Sequence, residues 1–152
     1  MRIWRLSKAR FANSAFSGEG ARLFEGRWNF AGVPMVYTST SLALAAIEFF
    51  VHLDPSVAPD DLVSVCAGIP NNLHRERLLV QDLPAGWRRV DNQSLQKLGV
   101  DWARSKRSVA LEVPSAVVEG EWNVLLNPAH TDFSKIEITP AKPFRYDERM
   151  FK

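Results

Sequence analysis

The hydrophobic pattern of the chain changes period several times, and those changes predict its elements. Ile3–Leu6 reads as a short strand. Residues 8–32 are polar and broken by Gly18, Gly20, Gly26 and Gly32, which predicts one long loop or several short ones. Pro34–Ser39 returns to a strand pattern. Ser39, Thr40 and Ser41 are N-cap candidates for a helix over roughly 41–53 that Asp54-Pro55 would end. Leu62–Ile69 reads as a strand closing at Pro70, and residues 71–89 carry no clear period. Asp91 or Asn92 can cap a second helix reaching Lys106, with Leu95, Leu98, Trp102 and Ala103 on one face. Val109–Val113, Ala116–Val118, Asn123–Leu126 and Ile136–Thr139 are short β-rich runs. Irregular alternation of this kind predicts an α+β fold with a mixed, largely antiparallel sheet.

Length and composition narrow the picture. The 152 residues suit one domain, with no repeat or linker dividing them. A net charge of +2 and no long basic run give no nucleic-acid stripe, so direct nucleic-acid binding is not expected. The longest apolar stretch, Leu42–Val51, is interrupted by Glu48 and falls short of the roughly 20 residues that span a bilayer. No signal peptide is recognisable, and the lone Cys66 has no internal disulfide partner, so a cytoplasmic location is the default.

Glu48 is the most informative residue. The helix Leu42–Val51 is apolar on every side, which predicts burial all round, and an ionised carboxylate there must be paired or face a polar cavity. Two readings compete: a structural pair with His52, four residues on, or with an Arg, and a carboxylate aimed into a pocket. Gly26-Arg-Trp-Asn29 is the second feature. Glycine permits close backbone approach, and the Arg27 guanidinium offers a planar fork for phosphate or carboxylate; a solvated loop arginine is the competing reading. Tyr37 ends an apolar strand and can either stack on a planar ring with its hydroxyl in a wet cleft or sit at a core edge. Ser115 lies at a strand break without the Gly-x-Ser-x-Gly of a nucleophile elbow, so a turn residue is the plain reading. The glycines of Gly18-Glu-Gly20 make no dinucleotide fingerprint, and His52, His74, His130 and Cys66 have no zinc-like spacing, so no metal is expected.

In order along the chain, Gly20-Ala21, Gly26-Arg-Trp-Asn29, Val36-Tyr-Thr-Ser39, Ala43-x-x-Ala46-x-Glu48-x-x-x-His52, Val113-Pro-Ser115 and Asn123-x-x-x-Asn127-Pro128 together resemble the RES-domain toxins of bacterial toxin–antitoxin modules. The resemblance runs from Ile3 to about Phe144 and implies a single RES domain over residues 1–152, with Arg27, Glu48 and Ser115 at the positions that name the family. Glu25 departs from it, standing where many members have glycine. The resemblance implies a fold related to ADP-ribosyltransferases and an enzyme for which NAD is the substrate. Its expected chemistry is cleavage of the nicotinamide–ribose bond by hydrolysis or phosphorolysis. Protein ADP-ribosylation stays open as an alternative, and a nucleic-acid-directed toxin or binding module as a third reading. In these roles Glu48 stabilises the ribose cation, Arg27 holds phosphate, Tyr37 walls in the nicotinamide, and Ser115 bonds the ribose or Glu48. Asn123 joins the NAD-binding set or supports it from behind, and His52 is divided between packing and orienting Glu48. The expected partner is an Xre-like DNA-binding antitoxin, with a second copy of the chain left open.

Overall fold

The computed structural model describes all 152 residues. Eight strands form one sheet: β1 (Arg2–Lys8), β2 (Val36–Ser39), β3 (Leu62–Gly68), β4 (Arg75–Arg77), β5 (Ala110–Pro114), β6 (Trp122–Leu126), β7 (Glu137–Ile138) and β8 (Lys142–Phe144). The strand order is β4-β5-β6-β2-β1-β3-β7, with β8 also on β3. Every pairing is antiparallel except β4 with β5. The α+β class with a mixed, largely antiparallel sheet is therefore what the chain adopts.

Three helices accompany the sheet: α1 (Glu19–Leu23), α2 (Leu42–Phe50) and α3 (Gln93–Ser105). Of the three capping candidates before α2 it is Ser41 that accepts from the Leu44 amide, at 3.0 Å. Asn92 does the same for α3, accepting from Leu95 N at 3.1 Å. Strand alternation sorts the core. Ile3, Val36, Val65, Ala67, Ala110, Val124 and Leu126 share one cluster with Ala15, Phe16 and Ile136. Leu111, Val113 and Leu125 point the other way and meet α3 through Leu95, Trp102 and Ala103.

Four expectations need correction. Residues 8–32 contain a 3₁₀ turn over Ala9–Ser14 and the short α1 as well as loop. Ala116–Val118 is a turn, because Ser115 Oγ accepts from the amides of Val117 and Val118 and bends the chain out of β5. Leu98 stands off the buried face of α3; Gln96 and Gly99 occupy that face instead. Finally, α2 is not buried all round: only Leu44 and Ala45 are fully enclosed, and the remainder of the helix is mostly half-buried beside a cleft. β4 and β8, each three residues long, fall in stretches without a hydrophobic period.

Candidate functional site

β1 and β2 pair at one position only, Trp4 opposite Ser39. Continued, the register would oppose Arg5 to Thr38 and Leu6 to Tyr37, yet the strands make no pair there. The Arg5 guanidinium fills the split and donates from Nη1 to the freed Tyr37 carbonyl at 2.9 Å. Arg5 forms no ion pair, its Nε is buried without a partner, and burial holds its pKa below the usual arginine value. A half-buried cation without an ion pair is unusual, and here it lines a cavity.

Two cavities meet at this split. One, of about 250 Å³, is lined by Arg5, Ser39, Phe49 and their neighbours; the other, of about 480 Å³, by Gly26, Arg27, Gln96, Asp91, Val117 and theirs. Tyr37, Glu48, His52 and Asn123 line both. The structure thus brings Arg27, Tyr37, Glu48, His52 and Asn123 to one place, with Ser115 directly behind.

Glu48 projects from α2 toward the end of the sheet where β5 stops and β6 begins. Ser115 Oγ donates to its Oε1 at 2.6 Å, and Asn123 Nδ2 donates to the same oxygen at 2.6 Å. Asn123 is itself oriented by Ser39, whose hydroxyl donates to its Oδ1 at 2.7 Å. Neither His52 nor any arginine forms an ion pair with Glu48, so the structural-pair reading is not realised. One carboxylate oxygen is therefore held by two neutral donors while Oε2 has no bond within the chain. The Ser115 hydroxyl donates its proton to Glu48 and accepts two amides, so its donor and both acceptor positions are used within the chain.

Arg27 donates from Nη1 to the carbonyls of Trp87 and Arg89, at 3.0 and 3.2 Å. These bonds set the guanidinium against the loop before α3, and Nε and Nη2 make no bond within the chain. The solvated-loop reading does not describe an arginine so tethered. Of the two readings of Tyr37, the hydroxyl fits the core edge and not the wet cleft. It donates to Asn29 Oδ1 at 2.5 Å, accepts from the Trp28 amide at 3.0 Å, and is pushed above the ordinary phenol range by burial. Its ring still lines both cavities. No three His, Cys, Asp or Glu side chains gather as a metal site would require.

Two contributors escaped the sequence reading. Arg5 sits inside a strand-like run where nothing in the period sets it apart. Gln96 carried a usable signal, since a glutamine and a glycine three residues apart interrupt the apolar face of an amphipathic helix.

Residues 2–147 match the RES domain. A protein named Toxin Res from Photorhabdus laumondii is 36% identical over all of this chain and 98% of its own length. One named Prs ADP-ribosylating toxin from Sphingobium is 35% identical, covering 99% of this chain and 96% of that protein. Among solved structures, a chain of the M. tuberculosis MbcT–MbcA toxin–antitoxin complex superposes with a TM-score of 0.72 at 19% identity. That match covers 95% of this chain and 84% of the other, and shows the shared fold.

Proposed function

This chain belongs to the RES domain family, and from that premise we propose that it is the toxin of a toxin–antitoxin pair and breaks the nicotinamide–ribose bond of NAD. The observation that carries the reading is Glu48: a carboxylate with one oxygen fixed by Ser115 and Asn123, the other unbonded, and no cation to quench it. Cleaving the N-glycosidic bond sends its electron pair to the nicotinamide nitrogen and leaves positive charge on the ribose. A preorganised carboxylate in a recessed site stabilises that charge as it develops. Ser115 and Asn123 donate without adding charge, so they fix the carboxylate while leaving its negative charge available to the ribose.

Arg27 contributes the phosphate contact through the nitrogens that its tether leaves unbonded, and Tyr37 walls the cleft where the nicotinamide would sit. Arg5, in the second cavity on Glu48, supplies a further unpaired positive charge for an anionic group of the substrate or for a phosphate acceptor. The residues present fit NAD: two arginines for its phosphates, an aromatic wall for its base, and an acid for its ribose.

A second reading, transfer of ADP-ribose to a protein, is favoured by the 35% identical relative whose name describes that activity. The two share the bond-breaking half and differ in the acceptor. Purified protein mixed with NAD, with and without phosphate, separates them. Free nicotinamide with ADP-ribose marks hydrolysis, a phosphorylated sugar marks phosphorolysis, and label on protein marks transfer. No nicotinamide under any condition overturns the reading.

The partner follows from the same site. Val51, Val90 and Val117, all exposed, line the larger cavity and give its mouth an apolar rim. We assign this rim to an Xre-like antitoxin that blocks NAD entry by covering the cleft. A partner that binds while NAD is still cleaved at full rate would overturn occlusion.

A further inference from the structure

We propose that Gln96 is a positioning residue that sets where Arg27 stands in the cleft, an inference that rests on the NAD reading above. Gln96 is buried, at 4% exposure, and belongs to α3, which carries none of the residues assigned to the chemistry. Its Nε2 lies 3.1 Å from Gly26 O and 3.2 Å from Asn29 O, the two carbonyls that flank Arg27 and Trp28. It also reaches Glu25 Oε2 at 3.4 Å. One side-chain amide therefore grips the loop on both sides of its functional arginine.

The rest of the loop is seated by matching devices. One helical turn further along α3, a Cβ at Gly99 would run into the Trp28 carbonyl oxygen, so glycine is what lets the loop lie flat on the helix. Asn29, fully buried, donates to the carbonyls of Ala21, Phe24 and Phe30. A Cβ on Gly26 would lie 2.7 Å from both Tyr37 Oη and Asn29 Oδ1. The Arg27 side chain then reaches Trp87 and Arg89, in the segment that leads into α3. The backbone on either side of Arg27 is thus seated on α3 and its side chain on the segment before that helix, and Gln96 is the polar contact that fixes the loop to the helix. Burying an amide is costly without partners, and this one spends its donors on the loop.

The test is a double-mutant cycle in the full chain. Gln96→Met keeps the shape and removes the donors. We expect it to raise KM for NAD about tenfold with kcat changed less than about threefold, because phosphate binding is remote from the bond that breaks. In an Arg27→Ala background the same substitution should move KM less than about twofold, since the residue it positions is gone. A KM unchanged by Gln96→Met in the parent, or an equal rise in both backgrounds, overturns the proposal. An Arg27→Ala variant with parental KM instead overturns the phosphate role of Arg27. If thermal unfolding shows the Met variant to be unfolded, Gln96→Asn, which withdraws the amide by one methylene, carries the same comparison. Independently of turnover, amide exchange of residues 25–29 should quicken in Gln96→Met; unchanged exchange also overturns the clamp.

Discussion

Ser115 and Glu48, 67 residues apart in sequence, share a hydrogen bond of 2.6 Å in which the serine donates to the carboxylate. The bond makes Ser115 a support for the acid. Replacing Glu48 by Gln should keep the fold and lower NAD cleavage by about 10²–10³, the usual loss when transition-state charge stabilisation is removed. Ser115→Ala should cost far less, since Asn123 still holds the same oxygen. Circular dichroism with a nicotinamide assay checks both, and a Ser115→Ala loss as deep as that of Glu48→Gln would return the serine to a direct chemical role.

Asn123→Asp tests the neutrality of that support. A second carboxylate would face Glu48 Oε1 across a distance now spanned by a 2.6 Å hydrogen bond. Like charges so close cannot both ionise freely, so one of the pair holds its proton to higher pH. The acid limb of the rate profile should move upward relative to the parent, while Asn123→Ala shifts it little.

The two arginines should separate by what they touch. Arg27→Lys should already weaken NAD binding, because a point charge cannot replace a planar fork. Arg5→Gln should lower thermal stability less than it lowers turnover: its unpaired charge is costly to bury, though its bond to Tyr37 O closes the strand split. Calorimetric titration with NAD and a melting curve for each variant decide this, and a lysine variant that binds like the parent would sink the fork.

Tyr37→Phe removes the hydroxyl that serves Asn29 and the Trp28 amide. Leaving a buried acceptor and donor unmet should cost about 1–3 kcal/mol in urea unfolding, with unchanged m. A loss of activity without that loss of stability would point back to a hydroxyl working in the cleft.

Much of this was legible in the sequence, for identifiable reasons. Ser41 and Asn92 announce α2 and α3 because capping chemistry is local. Glu48 stood out because an apolar helix makes a lone carboxylate conspicuous. What stayed hidden is non-local. The split between β1 and β2 depends on strands more than thirty residues apart, and Arg5 gains its meaning only from that split. Nothing in Val36-Tyr-Thr-Ser39 reveals that Asn29 comes back to meet the Tyr37 hydroxyl while the ring faces the cleft. Helical spacing puts Leu98 on the buried face because spacing alone does not say where a glutamine and a glycine will be buried.

Tyr146 gives the chain a pH-sensitive strap. Its hydroxyl donates to the Ala46 carbonyl of α2 at 2.5 Å, within a cluster of Phe50, Phe144 and Phe151, and burial pushes it up to about 12. The folded state thus favours the neutral phenol, whose ordinary pKa is about 10. Stability from this group is complete below about pH 10 and declines as pH rises from there toward about 12. Melting temperature followed from pH 8 to about 11 should fall less steeply in Tyr146→Phe than in the parent; parallel curves would remove the strap from the account.

That bond joins residues 100 positions apart, and it has a consequence in time as well as space. A ribosome adding about 5–20 residues per second takes about 5–20 s to travel from Ala46 to Tyr146. Through that interval α2 has been made, but the tyrosine that pins it has not, and Ser115 and Asn123 arrive only during the later part. Until Asn123 has been made, the nascent protein therefore carries its Glu48 carboxylate without the pair of donors that holds it.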